Sequence, residues 1–349
     1  MITAKFSSLP LRAEELANIK SLGYLTMTPI QAQGLPTILE GKDLLAQAKT
    51  GSGKTATFAI GLLHKLEITT YQIQAMILCP TRELADQVTN DVRRLARSIP
   101  NTKVVTLCGG KSIEPQLASM ERQPHIIVGT PGRILKHLDK GSLKLDKLRI
   151  LVLDEADRML DMGFHDEIMR VIKVTPHKRQ TLLFSATYPN KIKKISNAIQ
   201  INPIDIRVDS LHDNKKIKQI FYEVNPDKRT NSLITLLRHY QPQSSLVFCN
   251  TKQQCQELAN ELWKQGFHAL ALHGDLEQRD RDQVLIQFSN KSCSILIATD
   301  VAARGLDIKE LHAVINFELS HDPEIHIHRI GRTGRADKDG MALSMFIKS

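Results

Sequence analysis

Leu44-Leu45-Ala46-Gln47-Ala48-Lys49-Thr50-Gly51-Ser52-Gly53-Lys54-Thr55 reads as a short apolar strand, a glycine-rich turn and the opening of a helix. That order is the context a phosphate-binding loop requires. Gly51 and Gly53 allow a tight backbone turn whose N–H groups point at phosphate oxygens. Lys54 can reach β- and γ-phosphates, and the Thr55 hydroxyl can ligate Mg²⁺. The helix that follows places its positive dipole end at the anion. The generic pattern begins with Gly, and Ala48 stands there instead. The loop from Ala48 through Lys49, Thr50, Gly51, Ser52, Gly53 and Lys54 to Thr55 is therefore the expected nucleotide cradle. A glycine-rich turn with an incidental lysine is the alternative, and the strand before and helix after count against it.

Outward from this loop, short apolar runs alternate with amphipathic stretches of helical length. The expected strands are Leu44–Ala46, Ala75–Cys79, Val104–Leu107, Ile126–Val128, Ile150–Leu153 and Thr181–Phe184. They are continuously apolar, as parallel strands covered on both faces should be. Between them lie helices predicted at Ala56–Leu66, Glu83–Ala96, Arg133–Lys140 and Asn190–Gln200. The rhythm lapses in the polar stretch Asp209–Lys218 and resumes with Ile220–Val224, Leu246–Phe248, Ala269–Leu272, Ile295–Ala298, Ala313–Asn316 and Ala342–Phe346. The reading is α/β, with doubly wound parallel sheets in two tandem domains, 1–208 and 219–349, joined by a linker at 209–218.

Composition narrows the partner. Lys and Arg total 47 against 37 for Asp and Glu, a net charge of +10, which favours a polyanion such as nucleic acid or an anionic membrane surface. No apolar run approaches the ~18 residues of a membrane-spanning helix, and the N-terminus lacks a signal-peptide layout. The cysteines, Cys79, Cys108, Cys249, Cys255 and Cys293, form no C-x-x-C pair, so neither zinc nor a disulfide framework is indicated. Cys79, Cys108 and Cys249 end apolar runs and read as small core residues. The expected compartment is the reducing cytoplasm.

Two further clusters carry chemistry. Asp154-Glu155-Ala156-Asp157 follows Ile150–Leu153, at the edge of a parallel sheet where ligands bind. Asp154 suits Mg²⁺, Glu155 can polarise an attacking water, and Asp157 reads as a link to other motifs. Arg329, Arg332 and Arg335 recur every three residues in His328–Arg335, which on a helix gives nearly one face. Such repulsion needs anions, and Arg332 and Arg335 can serve as arginine fingers, worth about 10³–10⁵ in rate in phosphoryl transfer. Thr299-Asp300 also follows a strand, so each domain sends polar residues to one sheet edge. These edges predict a shared cleft that binds ATP.

With these motifs in order, the chain resembles the DEAD-box family of ATP-dependent RNA helicases along essentially its whole length. The resemblance implies two RecA-like domains, with ATP and Mg²⁺ as cofactors and RNA as partner. Phe6, Gly23, Tyr24 and Thr28-Pro29-Ile30-Gln31 look like its adenine-reading motif, with Gln31 bonding adenine in two directions and Tyr24 stacking on it. By the same resemblance Arg82, Gly110, Thr130, Arg133, Asn250, Gly274 and Thr299 lie in RNA-contacting motifs, while Gln278 and Arg281 match a further one. Ser185-Ala186-Thr187 matches the motif linking hydrolysis to unwinding. Asp307 would contact the ATP ribose, and Asp300 and Arg329 would help couple the motifs. His326 and His328 read as structural rather than as metal ligands.

Longer runs, LGYLTMTP, LCPTRELADQV, RQTLLFSAT, LHGDLEQRDRDQ and ATDVAARGLDIK, resemble one bacterial branch. Its members carry an extra C-terminal domain that targets a large-subunit ribosomal RNA hairpin, and they act in ribosome assembly. The chain ends at Ser349, after the last expected strand. The expectation is thus a monomeric helicase core without its RNA-targeting part, unwinding locally rather than processively. Two competing readings are a DNA-dependent translocase, disfavoured by the adenine motif and the intact Asp-Glu-Ala-Asp string, and an ATP-gated RNA clamp with little turnover, disfavoured by Glu155 and the paired arginines.

Overall fold

Strands buried on both faces must alternate their side chains between two cores. The computed structural model, which describes residues 4–48, 51–188, 190–208, 217–303, 311–320, 323–334 and 340–348, shows this alternation directly. The chain divides into two compact units, Met1–Ser210 and Leu211–Ser349.

In the first unit the strands are β1 (Leu44–Gln47), β2 (Ala75–Leu78), β3 (Val104–Leu107), β4 (Ile126–Gly129), β5 (Ile150–Leu153), β6 (Gln180–Ser185) and β7 (Ile204–Arg207). They form one parallel sheet in the order β3-β4-β2-β5-β6-β1-β7. Ala46, Ile77, Val128, Val152 and Phe184 face one core, while Leu45, Met76, Leu78, Ile127, Leu151 and Leu183 face the other. Because the strands are parallel, all their C-terminal ends open on one edge, and the glycine-rich loop, the acidic turn and the segments after β2, β3, β4 and β6 leave from it.

The second unit repeats the plan with β8 (Ile217–Glu223), β9 (Ser245–Cys249), β10 (Ala269–Leu272), β11 (Ile295–Thr299), β12 (Ala313–Asn316) and β13 (Gly340–Phe346). Its parallel order is β10-β11-β9-β12-β13-β8. Val247, Ile297, Ile315 and Leu343 enter one core; Leu246, Phe248, Leu296 and Val314 enter the other.

The sequence reading of the elements differs from the structure at several boundaries. Ile204–Arg207 is a strand that the alternation rule missed, because at the sheet edge only Ile206 is buried. Ile217 and Lys218, assigned to a linker on polarity, begin β8, another edge strand with mostly exposed side chains. Three of the four expected helices start one or two residues early, as in Lys54–His64 against Ala56–Leu66, since polar first turns carry no apolar periodicity, while the fourth starts at Asn190 as expected.

Candidate nucleotide and nucleic-acid sites

β1 runs into the glycine-rich loop, and the Ala48 N–H donates to Ser185 O at 3.0 Å, which fixes where the loop leaves the sheet. Gly51 and Gly53 have φ of +82° and +96°, and a Cβ on Gly53 would come within 2.6 Å of Gln31 Nε2. Glycine is therefore required there on both conformational and steric grounds. Gly53 caps the helix Lys54–His64. Lys54 is buried, and among the described residues its Nζ has no hydrogen-bond partner; the buried Ser52 Oγ is in the same condition. An unpaired buried ammonium is costly unless an anion completes it. Together with a helix N-terminus, this fits a phosphate group. Thr55, partly exposed, opens the same helix. Lys49 and Thr50 lie outside the described residues.

Gln31 sits beneath this loop, almost wholly buried. Its Oε1 accepts from the Thr28 N–H at 2.9 Å, and its Nε2 donates to Gly53 O at 3.4 Å. Each end of the amide is thus already engaged, with one valence left apiece for a base. Tyr24 is half-buried and meets Phe6 edge-on, ring centroids 6.4 Å apart.

β5 delivers the acidic turn, anchored by the Asp154 N–H donating to Leu78 O at 3.0 Å. Burial pushes the Asp154 carboxyl up to about 6, against the opposing pull of Lys54. A buried carboxylate near a lone ammonium suits a cation that arrives with phosphate oxygens. Among the described residues no group of three or more His, Cys, Asp or Glu side chains could hold a metal alone. Glu155 adopts a left-handed backbone, φ +50°, a conformation costing about 1–3 kcal/mol outside glycine. Its N–H donates to Asp154 Oδ1 at 3.0 Å, and its carboxylate pairs with Arg158.

Asp157 is a junction. Its Oδ2 accepts from the Ala186 N–H at 3.1 Å, the Thr187 N–H at 2.8 Å and the Thr187 hydroxyl at 2.8 Å. The Ser185 hydroxyl closes the loop by donating to Thr187 O at 2.6 Å. The acidic turn and the loop after β6 are therefore one hydrogen-bonded body.

Farther along this edge, the Arg82 guanidinium lies against Gly110, whose φ is +76°; a Cβ there would fall 1.5 Å from Arg82 Nη1. Thr130 starts the helix Pro131–Asp139, its N–H donating to Leu107 O at 3.1 Å. Arg133 is buried; Nη2 donates to Lys111 O at 2.8 Å, while Nε and Nη1 have no partner. Adjacent strands β2, β3 and β4 so bring Arg82, Gly110, Thr130 and Arg133 to one stretch of edge.

In the second unit Arg329 is 2% exposed and organises the edge. Its Nε and Nη2 reach the two Asp300 carboxylate oxygens, each at 2.7 Å. Nη1 donates to Glu318 O at 2.6 Å and Asn316 Oδ1 at 3.2 Å, and Nη2 also to Asn250 Oδ1 at 3.3 Å. Thr299 Oγ1 accepts from the Ala302 N–H at 3.4 Å, and Gly274 packs against Lys252. His326 stacks on Phe221, ring centroids 6.1 Å apart.

The three-arginine helical face is corrected by the structure. The helix ends at Ile330, and Gly331 and Arg332 leave it in a turn, with the Arg332 N–H donating to Arg329 O at 3.1 Å. Arg329 needs no external anion, because Asp300 neutralises it. Arg335 and Asp307 lie outside the described residues. The cysteines are free, four buried and Cys108 half-buried, with burial pushing the Cys108 thiol up to about 12.

Sequence reasoning missed Arg158 and Glu318. Arg158 stands three residues after Glu155 on a short helix, a spacing that brings side chains together. Glu318 follows an apolar strand at its C-terminal edge, the same signal that marks Asp154.

Comparison with known proteins accords with this geometry. The DEAD/DEAH box helicase family matches residues 28–195, and the helicase conserved C-terminal domain matches residues 228–337. The ATP-dependent RNA helicase DbpA of Escherichia coli is 57% identical over 97% of this chain and 74% of its own length. The DEAD-box ATP-dependent RNA helicase CshA of Geobacillus kaustophilus is 42% identical over 97% of this chain and 73% of its own. Among solved structures, Saccharomyces cerevisiae Dbp5 bound to RNA and ADP BeF3 superposes with a TM-score of 0.89 at 31% identity, covering 99% of this chain and 90% of that one.

Proposed function

The chain belongs to the DEAD-box family of ATP-dependent RNA helicases, and we propose that RNA stimulates its ATP hydrolysis and that hydrolysis drives local, non-processive separation of RNA strands. As a member it is an ATP-hydrolysing enzyme. The finer reading is carried by the Asp157 carboxylate, which ties the acidic turn to the Ser185–Thr187 loop through three hydrogen bonds. A shift at the hydrolytic carboxylates is thereby passed to a loop outside them.

In this reading the N–H groups of residues 48–55 cradle the phosphates and Lys54 neutralises them. Thr55 and Asp154 hold Mg²⁺, which when bound offsets phosphate charge. Glu155 polarises water, and Arg332 and Arg335 stabilise transition-state charge. Gln31 reads adenine with its two remaining valences, Tyr24 stacks on it, and Asp307 meets the ribose. Arg82, Gly110, Thr130 and Arg133, with Asn250, Gly274 and Thr299, grip the RNA backbone and leave the bases unread. Asp157, Ser185, Thr187, Asp300 and Arg329 couple these parts. The first domain runs 1–208, and the second begins by Ile217, where β8 starts, and runs to 349. The partner is structured ribosomal RNA during large-subunit assembly, and the protein acts as a cytoplasmic monomer. Kinship with the branch that includes DbpA supports the target.

The test measures ATP turnover with and without single-stranded RNA, beside strand separation of a short duplex. RNA should raise turnover, and Glu155→Gln should abolish it while ATP and RNA stay bound. Robust turnover indifferent to RNA would refute the coupling, and turnover surviving Glu155→Gln would refute that residue's role.

A further inference from the structure

Glu318 lies just past β12 and joins three segments of the second unit. Its Oε1 accepts from Arg229 Nη1 at 3.0 Å and from Gln254 Nε2 at 3.2 Å. Its Oε2 accepts from the Asn250 N–H at 3.3 Å, and its backbone O takes the 2.6 Å bond from Arg329. Asn250 is thus held twice: its N–H by the Glu318 carboxylate and its Oδ1 by Arg329 Nη2 at 3.3 Å. Neither acidic nor basic side chain of the Arg229–Glu318 pair is freely solvated, at 15% and 22% exposure.

A partly buried carboxylate accepting one main-chain and two side-chain donors fixes the groups that donate to it. The Asn250 loop projects from the ligand edge of the sheet and has the Glu318 bond as its main-chain anchor at that residue. We infer that Glu318 is a positioning residue for RNA binding: with Arg229 behind it, it sets the Asn250 loop against Arg329. The inference rests on Asn250 contacting RNA. The Glu318 carboxylate is engaged by Arg229, Gln254 and the Asn250 N–H, so in this inference its loss acts on RNA through Asn250 and leaves the ATP requirement alone.

The experiment uses the full chain and measures the concentration of a single-stranded RNA giving half-maximal ATPase stimulation, the KM for ATP, and the thermal midpoint. Variants are Glu318→Ala, Glu318→Gln, Asn250→Ala and the double Glu318→Ala/Asn250→Ala. Removing a charge-assisted anchor should raise the half-maximal RNA concentration about tenfold in Glu318→Ala with the KM for ATP unchanged. Glu318→Gln, which keeps the shape and one acceptor oxygen, should shift it less in the same direction and provides a folded control. The double variant should be no weaker than the weaker single. Full additivity would overturn the inference, showing that Glu318 acts apart from Asn250. An RNA response unchanged in both Glu318 variants would also overturn it, leaving the Asn250 reading intact if Asn250→Ala weakens RNA. If Asn250→Ala has no effect while Glu318→Ala does, the Asn250 reading fails and the route through it fails with it.

Discussion

The glycine-rich loop of the first unit and the Arg329 node of the second are both buried, charged and placed at the C-terminal edge of a parallel sheet. They differ in how their charges are satisfied. Among the described residues Lys54 Nζ and Ser52 Oγ have no hydrogen-bond partner, and Asp154 is held partly against ionisation by burial. Arg329 spends its donors on Asp300, Asn316, Glu318 and Asn250. The first region is complete only with a ligand, whereas the second is complete by itself. Unsatisfied burial marks a binding site, and satisfied burial marks a joint between motifs.

Lys54→Ala is the hardest test of this contrast. ATP turnover should fall by about 10²–10³ or more, as when a preorganised charge is removed from a transition state. The thermal midpoint without nucleotide should hold or rise, since a buried unpaired ammonium is lost. A drop in stability would show that Lys54 is already paired in the free protein. Arg329→Ala should behave oppositely, costing the second unit about 3 kcal/mol in denaturant unfolding by stranding Asp300. Little destabilisation would mean the node is not self-sufficient and that Arg329 waits for an anion.

The smallest effect belongs to the helix Pro131–Asp139 of the first unit. His137 is buried, its Nδ1 2.9 Å from Ser142 Oγ, and burial followed by Arg133 lowers its pKa below the ordinary 6.5. A histidine kept neutral by folding contributes stability that is fully present above about pH 6.5 and is lost as pH falls from there toward its folded pKa. Thermal midpoints should therefore decline below that point, and His137→Asn should shallow the decline. An equal slope in the variant would remove His137 as a cause.

Much of this was legible beforehand because local chemistry sufficed. Apolar runs covered on two faces, glycines with forced backbone angles and carboxylates after strands are all signals carried by neighbours in sequence. The edge strands with little burial were the least legible: in Ile204–Arg207 only Ile206 is buried, so the pattern that reports burial is nearly silent, whereas the better-buried edge strands Val104–Leu107 and Ala269–Leu272 could be read. The arginine triplet misled for a related reason. Spacing predicted one helical face, but Gly331 lets the chain leave the helix at that point.

The sequence by itself determined the two α/β units, the phosphate loop and the acidic turn, since each depends on residues close together in the chain. Only the tertiary structure decided how distant residues are joined. It paired Arg329 with Asp300, 29 positions apart, placed Glu318 under Asn250, 68 positions apart, and laid Gln31 against Gly53. Such partners are set by strand order and register, which no local spacing encodes. For Leu44–Thr55, local sequence predicted the glycine-rich turn and its lysine, and the fold added that Lys54 is buried beside Asp154 with no hydrogen-bond partner for its Nζ among the described residues.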